Sequence, residues 1–208
     1  MPLTSITAWE SLFEHLRLTS GSTGTIVVVA AAGGVGSMVT QLARQLTGLR
    51  VIGTASRPES ASWAMEMGAH AVVDHHGGMA KKVLVEAPDG VDYVFSSRSG
   101  SNVHEFADML KPFGHVVSID EAKDLQPLKL KSITWHWELM FTRPMLLPTD
   151  DSQHQLLDQV SELVDAGTLR TTATTTLGPL DAQTLREAHR MVETSRSVGK
   201  VVVTGVAR

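Results

Sequence analysis

The sequence has no cysteine and a single tyrosine, Tyr93, and each scarcity removes a chemistry. Without cysteine there can be no disulfide, no thiolate zinc ligand and no thiol nucleophile, a composition that fits a reducing compartment. Tyr93 has Ser97, not lysine, four residues on, so the Tyr-x-x-x-Lys pair of short-chain dehydrogenases is missing. Gly199-Lys200 is followed by valine, which rules out a nucleoside-triphosphate loop, and neither Gly-x-Ser-x-Gly nor His-Glu-x-x-His occurs. No apolar run approaches the ~20 residues of a membrane span, and "MPLTSITAWE" lacks the basic and apolar regions of a secretory signal. An excess of one charge is lacking too. With 18 basic and 22 acidic side chains, the net charge of −4 provides no broad basic surface, so neither nucleic acid nor a membrane is an expected partner. These exclusions leave a soluble, cytoplasmic protein as the expectation.

What is present has a rhythm. The 208 residues, 42% of them hydrophobic, suit one large domain or one domain with a fragment of another. Trp9, Leu12, Phe13 and Leu16 recur at helical spacing, with Thr4 or Ser5 available as a cap. Ile26 to Val29 are β-branched and continuous, as expected of a strand buried on both faces of a parallel sheet. Val35, Val39, Leu42, Ala43 and Leu46 return to helical spacing, and Gly48 closes that segment. Strand and helix then alternate: "LRVIGTA", Glu59 to Met67, "AHAVVD", Met79 to Glu86, "VDYVFS", Asn102 to Leu110, "GHVVSID". Such alternation implies right-handed crossovers and an α/β fold with a doubly wound parallel sheet. From about Leu125 the rhythm breaks. "LKLKSITWHWELMFTRPMLLP" is not a clean strand, Leu156 to Val164 marks one strong amphipathic helix, and the tail reads as strand, helix, strand.

Between the first strand and its helix, Gly33, Gly34 and Gly36 lack the Cβ atoms that would block a tight turn and a close approach of backbone to a pyrophosphate. The helix start at Val35 to Ser37 offers unpaired N–H groups and a positive dipole end to an anion. The spacing is Ala30-x-x-Gly33-x-x-Gly36, with alanine where the stricter fingerprint has its first glycine. Glycines that merely permit close packing share this spacing, as do methyltransferases, but its place between the first strand and helix of a βα run favours a dinucleotide. An NAD-selective site usually has Asp or Glu about 20 residues beyond the glycines, and an Arg there accommodates the NADP 2′-phosphate. Here Ser56 and Arg57 stand in that place and Glu59 lies beyond Pro58, which points to NADP; an ordinary solvated charge is the competing account of Arg57.

Other clusters carry less. Nine histidines invite a metal, but in "DHH" at 74–76 adjacent residues on a strand point to opposite faces, so a surface loop is the expectation and no metal site is assigned. Trp135, Trp137 and Phe141 suit core packing or a pocket wall. Ser96 and Ser97 fall at the carboxyl edge of the sheet, where ligands bind in open α/β folds.

The ordered set "PLTSITAWESLF", "AAGGVGSMVTQLAR", "GTASRPESASWAMEMGAHAVVDH", "LKPFGHVVSID", "ITWHWELMFTRPM" and "GKVVVTG" resembles the medium-chain dehydrogenase/reductase superfamily, particularly its zinc-independent quinone oxidoreductase-like branch. Some members of that branch carry zinc-type alcohol dehydrogenase names. The resemblance implies a Rossmann-type NADP-binding domain over residues 1–168. Residues 169–208 would be the C-terminal strands and helix of a GroES-like catalytic domain whose N-terminal part precedes the nucleotide domain in relatives and is missing here. It also implies that Ala32, Gly33, Gly34, Val35 and Gly36 hold the pyrophosphate, that Ser56 and Arg57 hold the 2′-phosphate, that Ser96 sits near the ribose or nicotinamide, and that Thr7 approaches the nicotinamide. Ala30 and Ala31 replace the commoner Gly-Ala opening, which shifts the turn only slightly. The implied activity is hydride transfer from NADPH to a quinone, enone or related carbonyl, with no general acid assignable, no zinc, and a homodimer through the nucleotide domain. The alternative is a nucleotide-binding but catalytically incomplete chain: a truncated product, a redox sensor or half of a complex, with exposed tail strands that favour self-association.

Overall fold

The computed structural model describes residues 1–205. Helix α1 (Pro2–Trp9) runs directly into a π-helical turn, Glu10–His15. The helix starts at Pro2, so Thr4 and Ser5 lie inside it and donate their hydroxyls to the Met1 carbonyl instead of capping it. A regular alternation follows: β1 (Thr23–Val28), α2 (Gly34–Leu46), β2 (Gly48–Thr54), α3 (Pro58–Glu66), β3 (Ala71–Val73), α4 (Met79–Glu86), β4 (Val91–Ser96), α5 (Val103–Met109) and β5 (Leu110–Ser118). After a 3-10 turn, Gln126–Lys131, come β6 (Thr134–Trp137), α6 (Thr142–Leu146) and α7 (Ser152–Asp165). The chain closes on β7 (Ala173–Leu177), α8 (Ala182–Glu193) and β8 (Lys200–Val203).

Strands one to six form a parallel sheet in the order β3-β2-β1-β4-β5-β6. That is the doubly wound Rossmann order, in which the order of strand addition reverses between β1 and β4 and opens a crevice at their carboxyl ends. Alternation along β1 shows how one strand serves two cores. Ile26 and Val28 pack with Leu42 of α2 and Val160 of α7, while Val27 packs on the other face with Met79, Val83 and Phe106 of α4 and α5. With no polar face to alternate, the strand had to be a continuous β-branched run. β7 and β8 form a separate two-stranded parallel sheet. Among the described residues, no helix is long and apolar enough to cross a membrane.

The sixth strand is the element that composition conceals. Its four residues, Thr134–Trp137, sit between a 3-10 turn and a short helix, and the alternation of Trp135 and Trp137 with Thr134 and His136 is too short to mark a strand by itself. β6 is in register with His115–Ser118 of β5 and forms one edge of the sheet. Trp135 is half-buried against the second core, while Trp137 and Phe141 are about half exposed, so this aromatic group is not a core cluster.

Candidate functional site at the sheet crevice

The turn after β1 is built by backbone. Ala30 takes a left-handed conformation, φ 58°, and its carbonyl accepts the Gly33 N–H at 3.0 Å. Thr54 at the end of β2 braces it: its Oγ1 accepts the Ala30 N–H at 3.0 Å and its carbonyl the Ala31 N–H at 3.1 Å. A Cβ on Gly36 would stand 2.4 Å from the Ala30 carbonyl oxygen and 2.9 Å from the Ala31 Cα, so this position admits only glycine. Helix α2 begins at Gly34 with no side-chain cap. The Ser37 N–H already donates to the Gly33 carbonyl at 2.8 Å, so the first-turn N–H groups offered to a ligand are those of Gly34, Val35 and Gly36, one residue earlier than the spacing suggested. Ser37 Oγ also donates to Gly33 O and accepts Trp63 Nε1–H at 2.8 Å, fixing α3 against the turn.

Around this turn lies a cleft of about 1140 Å³, larger than the about 300–1,000 Å³ usual for small-molecule sites. Ala32, Gly33, Gly34, Val35 and Gly36 line it, as do Ser56 and Arg57. Ser96 and Thr7 do not. Ser96 is fully buried, and its Oγ accepts the Arg98 N–H at 3.1 Å, shaping the loop after β4; the neighbouring Ser97 reaches the cleft instead. Thr7 is buried in α1 and donates its hydroxyl to the Leu3 carbonyl at 3.2 Å.

Arg57 is not a solvated loop charge. Its side chain is 29% exposed, lies 3.9 Å from the Glu59 carboxylate, and donates from Nη2 to the Arg196 carbonyl at 2.6 Å. That contact reveals what the sequence hid: the tail walls the cleft. Gly199, at φ 62°, donates its N–H to the Ala32 carbonyl at 2.7 Å and forms a β-bridge with Gly33. The stem of Lys200 then crosses Gly34 where a Cβ would be only 2.4 Å from its Cδ. Arg57, Arg98, Arg196 and Lys200 thus converge on a cleft whose walls, among the described residues, hold one carboxylate, Asp120. In the sequence, Lys200 stood out only through the Gly199-Lys200 dipeptide that opens the last strand.

Asp120 is committed to loop structure. Its Oδ2 accepts the Ser99 N–H at 2.7 Å, and Ser99 and Ser118 hydroxyls meet at 2.8 Å beneath it. On the opposite side, β3 ends at Val73, so strand alternation does not govern 74–76, and the His75 and His76 rings lie together, 4.4 Å between centroids. Both line the cleft. Burial, then the charge of His76, lower the His75 pKa against the opposing charge of Asp74, and its buried Nδ1 has no protein partner. Among the described residues no group of three or more His, Cys, Asp or Glu is placed to hold a metal ion.

A family model for zinc-binding dehydrogenases matches residues 67–203. A zinc-type alcohol dehydrogenase-like protein of Staphylococcus epidermidis is 36% identical over 98% of this chain and 63% of its own length. Among solved structures, a Rhizobium etli CFN 42 protein described as a zinc-dependent alcohol dehydrogenase superposes with a TM-score of 0.92 at 43% identity, covering 100% of this chain and 63% of that one. A mycobacterial protein complexed with NADPH superposes with a TM-score of 0.82 at 26% identity, over 97% of this chain and 62% of its own. The chain therefore spans less than two thirds of the length of each of these relatives.

Proposed function

The chain belongs to the zinc-binding dehydrogenase family, within the medium-chain dehydrogenase/reductase superfamily, and on that premise we propose that it is the NADPH-binding portion of an oxidoreductase that reduces a quinone, enone or related carbonyl. The observation that carries the reading is the convergence of four cationic side chains, Arg57 held by the Arg196 carbonyl among them, on an uncapped helix start at the β1/β4 crevice. A pyrophosphate suits the N–H groups of Gly34, Val35 and Gly36, with Ala32 and Gly33 shaping the approach. A 2′-phosphate suits Arg57 and the exposed Ser56, because a guanidinium and a hydroxyl complement a dianion. When bound, the nicotinamide cofactor would supply the hydride, and these residues would hold it by its phosphates. Ser96 acts in this reading by holding the loop after β4, and Thr7 by fixing α1, which packs on α2.

The reading divides the chain into the nucleotide domain, 1–168, and a tail, 169–208, that belongs with a catalytic domain; the separate β7·β8 sheet supports this division. It assigns no zinc to these residues, and it includes a homodimer through the nucleotide domain, supported by the open edge at β6. A second reading, favoured by the chain spanning 63% of the length of its S. epidermidis relative, is a nucleotide-binding protein without turnover of its own. The test is oxidation of NADPH followed at saturating cofactor with a panel of quinones and enones. Turnover supports reductase activity in the chain itself. Binding without turnover selects the second reading, and neither binding nor turnover discards both.

A further inference from the structure

Outside the cleft, six ionisable side chains meet where the π-helical turn after α1 packs against the chain beyond β6. Glu10 and Glu138 are the buried pair, 4% and 6% exposed. Glu10 Oε1 accepts from Arg143 Nε at 3.1 Å and from Gln153 Nε2 at 3.0 Å. Arg143 also donates to Glu14, and to Asp150 at 2.7 Å. Glu138 Oε2 meets His15 Nε2 at 2.9 Å, but its Oε1 is buried without any donor. Beyond His15 stand the rings of His136, 5.8 Å away, and His115, both with their pKa lowered by burial, and the charge of Arg17 lowers His136 further.

The charges do not balance. Four carboxyl groups face one guanidinium and one imidazole, and two of the carboxyls are shut off from water. A buried acceptor without a donor costs free energy, and so does a buried uncompensated charge. One proton answers both demands.

We propose that Glu10 carries a proton it shares with Glu138 Oε1, and that this proton closes a clasp between the entry helix and residues 138–153 that loosens as the pH rises to neutrality and is open above it. Closed, the clasp ties α1 and its π-turn to Glu138, to Arg143 of α6 and to Gln153 of α7. Opened, it confronts two buried carboxylates. The directions of titration agree with the geometry. Burial, and then Glu138 and Glu14, push Glu10 from its ordinary 4.5 up to about 7 against the opposing hydrogen bond from Gln153. The hydrogen bond to Glu138 raises His15 against the opposing effect of its burial. For both groups the folded state binds the proton more tightly than the unfolded state, so their contribution is complete at low pH. It is lost from Glu10 between about pH 4.5 and 7 and from His15 above its ordinary 6.5.

The clasp is tested with Glu10→Gln, which copies the protonated side chain and cannot lose the proton, and Glu14→Gln as its exposed neighbour. Thermal melts of each and of the wild type are taken from pH 5 to pH 8. Because other histidines titrate in every protein compared, the readout is the difference between wild type and variant. The wild type should lose roughly 4–8 °C relative to Glu10→Gln across that range, and much less relative to Glu14→Gln. A Glu10→Gln difference that stays constant with pH overturns the proposal. Hydrogen exchange on the wild type alone, corrected for intrinsic rates, keeps the test decisive if the variant does not fold. Amides of residues 3–15 and 138–150 should lose protection together between pH 6 and pH 8 while those of β1 and β4 do not, and equal changes throughout overturn the clasp.

Discussion

At the scale of single residues, Ala30 is the point where chemistry and conformation disagree. An L-residue in the left-handed region costs about 1–2 kcal/mol relative to its relaxed state, and Ala30 sits there at φ 58°. Glycine would remove that strain but adds unfolded-chain freedom worth about 0.4–1 kcal/mol. Ala30→Gly should therefore stabilise the protein by roughly 0.5–1 kcal/mol, seen as a rise of about 1–4 °C in Tm. An unchanged or lower Tm would mean that the Ala30 methyl makes contacts worth as much as the strain it carries. Gly36 shows the reverse case, a glycine set by the backbone on either side of it, and its role was legible because the spacing of a tight turn leaves few alternatives. Arg57 was legible as a type of residue in a type of place, but not its grip on the Arg196 carbonyl, which depends on a segment far along the chain.

At the scale of elements, the segment 137–147 is the part of the surface that asks for cover. Trp137, Leu139, Phe141, Met145, Leu146 and Leu147 are all about half or more exposed, beside the free edge of β6. An unpaired strand edge flanked by apolar side chains favours association. If the proposed homodimer forms through this face, Leu146→Glu, at a position 71% exposed, should weaken self-association by about tenfold or more, the worth of roughly 1.4 kcal/mol, while leaving the melting temperature within a degree or two. Sedimentation velocity across a concentration series checks it; a wild type that remains monomeric throughout contradicts it. The central βα units were readable because β-branched runs and helical stripes alternate at regular distances. α4 and β4 fall where the periodicity put them. β6 was not readable, because the alternation of Ile133, Trp135 and Trp137 with Thr134 and His136 is short and merges into an apolar stretch that is not a strand, and its identity comes from pairing with β5. The starting cap of α1 was misread for a related reason: Pro2 opens the helix at the chain's first turn, so Thr4 and Ser5 had no cap to provide.

At the scale of the whole molecule, the charge distribution separates from the net charge. A chain of −4 overall gathers Arg57, Arg98, Arg196 and Lys200 around one cleft in whose walls Asp120 is the one carboxylate among the described residues. Arg196 and Lys200 arrive there only because the tail folds back through the Gly33–Gly199 bridge, so neither composition nor local spacing could assign them. The central claim, that this cleft holds a phosphorylated dinucleotide by its 2′-phosphate, is tested most directly by calorimetric titration of NADPH and NADH into the wild type and Arg57→Ala. The account predicts that the wild type prefers NADPH, that the variant loses about 10- to 100-fold in NADPH affinity, the worth of roughly 1.4–2.8 kcal/mol for a charge-assisted contact, and that NADH binding barely changes. Equal affinity for the two nucleotides in the wild type, or equal losses for both in the variant, would contradict it.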